Sequence, residues 1–302
     1  MPNTVTIQGA LSAYTEVHRD ELLVKASLGG VKTFDYIDIM PGVKNKELIP
    51  MLDSTVVFSG ATCGWNPNGT DVFSEKYVEV KPLEIEKEYC DFDFQKSFAN
   101  NKLMIEAGRE TLPFEQKITE ANINATNEAL EVLVWHGDSG LGISGFTELA
   151  SAATASVKVD FPTGSTMISK VDAVVAAIPV KALRKGVNVF MSYSDYRAYI
   201  GELNASCCQS KPVIDAAQEA IKYIGDSRIQ IVPVMGLEKQ NTGDTAYIVA
   251  ATPDALVYAT DIENAHNVVR WFFDFKESKH DFRILFNAGT ALRWDDEVVI
   301  GA

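Results

Sequence analysis

Nowhere in this 302-residue chain does an uninterrupted apolar run reach the ~18 to 20 residues that a membrane-spanning helix needs. The opening residues, MPNTVTIQGALSAY, also lack the basic segment followed by an apolar one that marks a secretory signal, so export by that route is not expected. Histidine and cysteine are scarce, with four of each. Cys63, Cys90, Cys207 and Cys208 form no CxxC, and His18, His136, His266 and His280 lie far from one another. No metal centre is expected from that spacing, and the cysteines read as reduced thiols. Basic residues are in deficit, 27 Lys and Arg against 41 Asp and Glu, for a formal net charge of -14. A protein that reads nucleic-acid sequence usually presents a basic face, so this balance argues against that function. It leaves room for a protein that merely encloses nucleic acid, for which charge of one sign favours solubility before assembly. Internal repeats and low-complexity linkers are missing too.

Hydrophobic residues make up 46% of the chain, enough for one large or two modest domains. Residues 8–27 place Leu11, Tyr14, Val17 and Leu22 at helical spacing, with Gly29 and Gly30 as a stop. The next stretch, TFDYIDIMPGVKNKELIPML, reads as an alternating apolar segment, a Pro-Gly turn and a short helical piece. TVVFSGATCGW and KYVEVKPLEIEKEYC both alternate in the manner of strands, and the turn cluster NPNGTD separates them. They predict a long two-stranded hairpin, charged enough to need a surface to lie on.

LPFEQKITEANINATNEALEVLVWHGD, residues 112–138, is the longest helix signal. Thr111 can cap it, and Pro113 fits its first turn. Phe114, Ile118, Ala121, Ala125, Ala129 and Val132 recur at spacings of three and four, and Gly137 stops it. The alanines predict a close approach to a sheet. Residues 155–255 then alternate: a helix at 167–178, a short helix closed by Lys185 and Gly186, a strand at 187–193, and a helix capped by Ser194. A helical or turn-rich segment, VIDAAQEAIKYIGD, and the strand IQIVPVMG follow. AYIVAATPDALVYATDI, NVVRWFFDF and FRILFNAGTALRWDDEVVI are strand runs rich in β-branched and aromatic residues.

Chemistry finds little support. GDSGLGISG contains the Gly-Asp-Ser-Gly string seen around some serine nucleophiles. Ser139 would need an activating histidine, and His136 is too local to serve. GLGISG is no dinucleotide fingerprint. The carboxylates of EIEKEYCDFD alternate between two strand faces and read as a solvated face rather than an ion site. Trp271, Phe272, Phe273 and Trp294 read as core or interface, and His266 and His280 as polar turn residues. No catalytic, cofactor-binding or metal-ligating residue is assigned, and the chain is not expected to be an enzyme.

The order of parts resembles the major capsid proteins of tailed bacteriophages, the Hong Kong 97-like fold, over nearly the whole chain. PGVKNKELIPML, the 112–138 stretch followed by GFTELA, VFMSYSDYRAYIGEL and the C-terminal VPVMGL, TAYIVAATPDALVYATDI and RWFFDFKESKHDFRILFNAGTALRWDDEVVI carry the likeness. The resemblance implies an α+β fold with an N-terminal arm at 1–54, an extended β-hairpin loop at 55–98, a peripheral domain at 99–154 and 256–302 with a spine helix from Pro113 to His136, and an axial domain at 155–255. It implies a shell of hexamers and pentamers enclosing double-stranded DNA. The expected partners are copies of the chain itself and separate scaffolding, portal and decoration proteins, with no membrane and no cofactor. The expected location is the virion capsid, assembled in the bacterial cytoplasm. Some members carry a scaffolding segment before the arm; here the arm helix follows Met1 almost at once, so scaffolding is expected to be separate or unnecessary. Some members cross-link lysine to asparagine, but Lys76, Lys81 and Lys87 have no identifiable partner, and no cross-link is assigned. An encapsulin-like compartment is the alternative that shares the fold, and a soluble hydrolase using Ser139 the alternative that does not.

Overall fold

The computed structural model describes residues 4–18, 21–22, 25–26, 30–60, 63, 69–107, 114–205, 220–239, 246–261 and 268–302. Helix α1, Thr4–Val17, comes first, and Leu11, Leu22 and Ala26 are fully buried. Val17, expected on the same stripe, is 78% exposed. Thr15 is buried instead, its hydroxyl donating back to the carbonyl of Leu11, a local bond that lets a polar residue go inside unannounced by hydrophobicity. A 3-10 turn at Lys32–Tyr36 leads into β1, Asp38–Pro41. The short helical piece expected next is a strand, β2, Lys46–Thr55. Pro50 in its middle would break a helix but is tolerated in a two-stranded ribbon.

β3, Thr70–Glu79, pairs with β2 from Lys46↔Glu79 to Thr55↔Thr70, and β4, Lys81–Cys90, continues the same chain direction. Helix α2, Asp91–Glu106, and the long helix α3, Phe114–His136, follow. Next come the two-residue strands β5, Gly137–Asp138, and β6, Ile143–Ser144, then α4, Phe146–Ala152, and β7, Val157–Val159. The middle of the chain supplies α5, Met167–Ala176, α6, Val180–Leu183, β8, Val187–Ser192, α7, Tyr193–Ala205, β9, Ile221–Lys222, and β10, Ile229–Val234. The C-terminal strands are β11, Ile248–Ala251, β12, Leu256–Asp261, β13, Val268–Asp274, β14, Lys279–Leu292, and β15, Val298–Gly301. Thr111, Pro113 and residues 213–219 of the expected helical segment lie outside the described residues.

Two sheets organise these elements. The first runs β1-β12-β14-β13, with β4 paired to β14 on the side away from β12 and β13. The second runs β7-β15-β11-β8-β10-β9, so the last strand of the chain closes the sheet of its middle third. Val171, Val174, Val189, Ile231 and Val299 form the core of the second sheet and its helices. The cap of α7 is Ser192, not Ser194: its hydroxyl accepts from the Asp195 N–H at 3.0 Å and donates to the Asp195 carboxylate at 2.9 Å.

The hairpin is offset from its expected position. Its arms are β2 and β3, whereas β4, read as part of the second arm, is built into the first sheet from Ala288↔Lys81 to Lys279↔Cys90. Alternation marks a strand but does not choose its partner. At the root, Ile49, Val78 and Val80 are buried with Val43, Val257 and Ala291. Gly289 of β14 passes so near β3 that a Cβ there would sit 2.2 Å from the Glu79 carbonyl oxygen, so only glycine fits.

Helix α3 has the expected length but turns a different face inward. Ala121, Ala125 and Ala129 are exposed, and the buried side is Phe114, Thr119, Asn122, Ile123, Thr126, Asn127, Leu130, Glu131, Val134 and Trp135. Five of those ten are polar, so periodic hydrophobicity selects the wrong stripe. Asn122 explains part of this: its Oδ1 accepts from Lys87 Nζ at 2.9 Å and Tyr89 OH at 2.8 Å, both on β4. Replacing Ala125 with Leu is therefore expected to change subunit stability by no more than about 0.5 kcal/mol in denaturant melts, the range of surface substitutions. A loss of 1 kcal/mol or more would place Ala125 in a packed contact.

Candidate functional site

The side chains singled out for chemistry are scattered. Ser139 lies exposed in the turn between β5 and β6, and its hydroxyl meets no histidine among the described residues. His280 is not a polar turn residue. It is fully buried, with Nε2 2.9 Å from Asp91 Oδ1 and its ring stacked on Phe94, joining α2 to β14. Glu84, Glu86 and Glu88, expected to be split between two faces, share the exposed face of β4 because they occupy every second position; Arg283 pairs with Glu84 and Glu86 there, and Lys279 sits 2.8 Å from Glu88. Those carboxylates are matched across the ladder rather than gathered around an ion. Trp271 is core, while Phe272 is substantially exposed. Cys63 and Cys90 are exposed free thiols; Cys207, Cys208 and His266 lie outside the described residues.

Two other features stand out. The first is the junction at the end of α3. Trp135 is fully buried between Phe146 and Phe190, and its indole N–H donates to Thr33 Oγ1 at 2.8 Å. That hydroxyl donates in turn to Glu131 Oε1 at 2.9 Å. Gly236, just after β10, packs against both residues: a Cβ there would lie 2.3 Å from the Trp135 ring and 2.4 Å from the Glu131 carbonyl oxygen. The N-terminal segment at Thr33, the long helix and the second sheet thus meet at one point. Hydrophobic patterning could not reveal Thr33 and Glu131, because both are polar residues whose burial depends on a partner about a hundred positions away.

Burial raises the Glu131 carboxyl pKa above its usual value, and the Thr33 hydrogen bonds only partly offset this. Its contribution to stability is therefore full below the unfolded-state pKa and is lost as pH rises through the folded one. Glu131→Gln keeps an acceptor for Thr33 and cannot ionise. The stability of this variant relative to the parent is expected to rise with pH from about 4.5 and then level off. Denaturant melts at several pH values would measure it, and a flat difference would mean that the carboxyl is solvated.

The second feature is the hairpin. Leu48 faces Tyr77 and Leu52 faces Phe73 across the ribbon, all four exposed, and beyond them Phe58 is 97% exposed. On its other face Lys76 Nζ binds Asp295 Oδ1 at 2.5 Å and the Leu292 carbonyl at 3.1 Å. Lys181 stands between Asp53 and Asp296 at 3.6 and 3.7 Å. The root is fastened to the rest of the chain, and the apolar face of the ribbon and Phe58 beyond it are left bare.

Solved structures share this arrangement. A chain of the satellite phage P4 procapsid that includes the size determination (Sid) protein aligns with 10% identity and a TM-score of 0.59, covering 95% of this chain and 90% of that one. The capsid of the native GTA particle aligns with 11% identity and a TM-score of 0.57, covering 92% and 89%. The holo-SrpI encapsulin complex from Synechococcus elongatus PCC 7942 aligns with 9% identity and a TM-score of 0.58, covering 89% and 85%. The chain has the Hong Kong 97-like capsid fold. Helix α3 lies along the first sheet and ends against the second. No family model matches the sequence, and neither does any curated protein, so the likeness is carried by shape at very low identity.

Proposed function

We propose that this chain is the major capsid protein of a tailed bacteriophage, forming hexamers and pentamers of an icosahedral shell around double-stranded DNA. The observation that carries the reading is the hairpin, rooted in the subunit core while its apolar face and tip have no cover, on a chain with the capsid fold. In that assembly the residues before β2 supply the arm expected at 1–54, and the reaching part of the loop expected at 55–98 is the end of the β2–β3 ribbon, whose first strand starts at Lys46. Residues 99–154 and 256–302 form the peripheral domain, and 155–255, with β15 completing its sheet, the axial domain. The chain performs no catalysis in this role. Its partners are other copies of itself, separate scaffolding, portal and decoration proteins, and the genome it encloses without reading it. Assembly takes place in the host cytoplasm.

Negative-stain microscopy and light scattering of the purified chain test this. Closed particles built from rings are expected. A strictly monomeric protein under every assembly condition, including with the other head proteins, would overturn the reading. A cargo-storing compartment is the second reading, favoured by the encapsulin likeness at an equal level of structural agreement. Particles that protect DNA from nuclease support the phage shell, and particles that carry a bound cargo peptide support the compartment.

A further inference from the structure

The 3-10 turn Asp295–Glu297 joins β14 of the first sheet to β15 of the second, and all three of its side chains are carboxylates. Each of them meets a lysine from elsewhere in the chain. Glu297 is buried, 2.8 Å from Lys185 Nζ, and it also accepts from the Thr252 hydroxyl at 2.7 Å. Lys185 stands just before β8 and Thr252 just after β11, so the second sheet holds the turn in place. Asp295 and Asp296 are turned toward the β2–β3 ribbon. Lys76 Nζ of β3 lies 2.5 Å from Asp295, and Lys181 of α6 stands 3.7 Å from Asp296 and 3.6 Å from Asp53 of β2.

The ribbon meets these charges as a lever. β3 ends at Glu79 and β4 begins at Lys81, so Val80 alone separates a strand of the ribbon from a strand of the first sheet. Val80 is buried, its N–H donates to the Asn45 carbonyl at 2.8 Å, and Gly289 passes beside it, which makes it the fixed end. At ~3.3 Å per residue, Lys76 stands roughly 13 Å along the ribbon from Val80, and Asp53, opposite Val72, roughly 26 Å. The buried apolar residues of the ribbon, Ile49 and Val78, lie no farther out than Lys76, which pairs with Ile49. Beyond that rung every described residue of the two strands is exposed except the partly buried Met51. A swing of about 10° at Val80 carries the Thr55–Thr70 rung, ~33 Å away, through about 6 Å.

We infer that the direction of the ribbon is set by an electrostatic latch within one chain: Lys76 on Asp295, backed by Lys181 between Asp53 and Asp296, holds the ribbon to the turn, and loss of these contacts lets it swing about Val80. The Lys76 contact is the main one. Its two side chains are 30% and 26% exposed, and the same ammonium also donates to the Leu292 carbonyl at 3.1 Å. Lys181, Asp53 and Asp296 are each more than half exposed, so that contact is weaker and more easily screened by salt. Because Glu297 fastens the turn to the second sheet, the ribbon takes its direction from that sheet.

Distance measurements between two spin labels on the full-length chain test the latch. The labels go on Val56→Cys beyond the ribbon and Gly201→Cys on α7, both exposed, with Cys63, Cys90, Cys207 and Cys208 replaced by serine. Labelled chain is diluted into unlabelled chain so that only distances within one molecule are read. At about 0.05 M salt the parent should give a narrow distribution, and Lys76→Met and Asp295→Ala distributions at least twofold broader. The double variant should be no broader than the wider single one, because all three lose the same contact. Lys181→Ala should broaden the distribution less than Lys76→Met does. Raising the salt to about 1 M, where the screening length falls to about 3 Å, should broaden the parent toward the variants. Single variants as narrow as the parent, broadening that adds up in the double variant, or a parent width indifferent to salt would each overturn the inference. The shell reading fails separately: a parent chain that forms no particles refutes the shell, while the distances within one chain still report on the latch.

Discussion

Removal of residues 53–72, with a short glycine linker joining the shortened arms of the hairpin, is expected to yield a folded subunit that no longer forms shells. The described residues of that stretch are exposed, including Val56, Val57, Phe58 and Val72, whereas Ile49 and Val78 at the root stay in place. Circular dichroism and a cooperative melt close to the parent's should report an intact fold, while microscopy shows only small oligomers. A larger cut from 64 to 88 behaves differently. It removes Val78, Val80 and Leu83 from the core and strips β4 from β14. Burial of those three side chains is worth on the order of 5 to 9 kcal/mol, comparable with the whole stability of a typical domain. That variant should not fold. If the smaller deletion also abolished the melt, the tip would belong to the subunit core. If it still formed shells, the hairpin would have no part in assembly.

Replacing Trp135 with Ala should be the most damaging single substitution, at about 3 to 5 kcal/mol in denaturant melts of the subunit. The ring fills the space between Phe146 and Phe190, and its N–H satisfies the Thr33 hydroxyl that supports the buried Glu131 carboxylate. Truncation leaves a cavity and an unbalanced polar pair at the point where the Thr33 segment, α3 and the second sheet converge. Trp135→Phe separates the two effects. It retains an aromatic ring and loses the donor, so a smaller cost, about 1 to 2 kcal/mol, is expected. Equal losses for the two variants would show that the hydrogen bond rather than the packing holds the junction, and a loss below about 1 kcal/mol for Trp135→Ala would show that the junction is not part of the core.

Elements whose signal is local were legible in the sequence. The length of α3, the α5 helix, the buried strands β8 and β10, and the aromatic β13 each declare themselves through composition and spacing within ten to twenty residues. The order of those elements also pointed to the capsid fold, because order survives where identity does not. Alternation in residues 55–90 marked strands there, but the charged part, read as an uncovered arm of the hairpin, is β4 in the first sheet, and the ribbon begins earlier, at Lys46.

Tertiary structure decided everything that depends on a distant partner. A strand pattern carries no address, so β4 could be assigned to β14 only once the two lay side by side, with Gly289 admitting the β3 backbone. The inward face of α3 was hidden for a similar reason. Asn122 goes inside where Lys87 and Tyr89 donate to its Oδ1, and Glu131 where Thr33 donates to its carboxyl, while the alanines that look like core face outward. Hydrophobicity is a property of one residue and can be read along a chain. The satisfaction of a buried polar group is a property of a pair, and it exists only after the chain has folded.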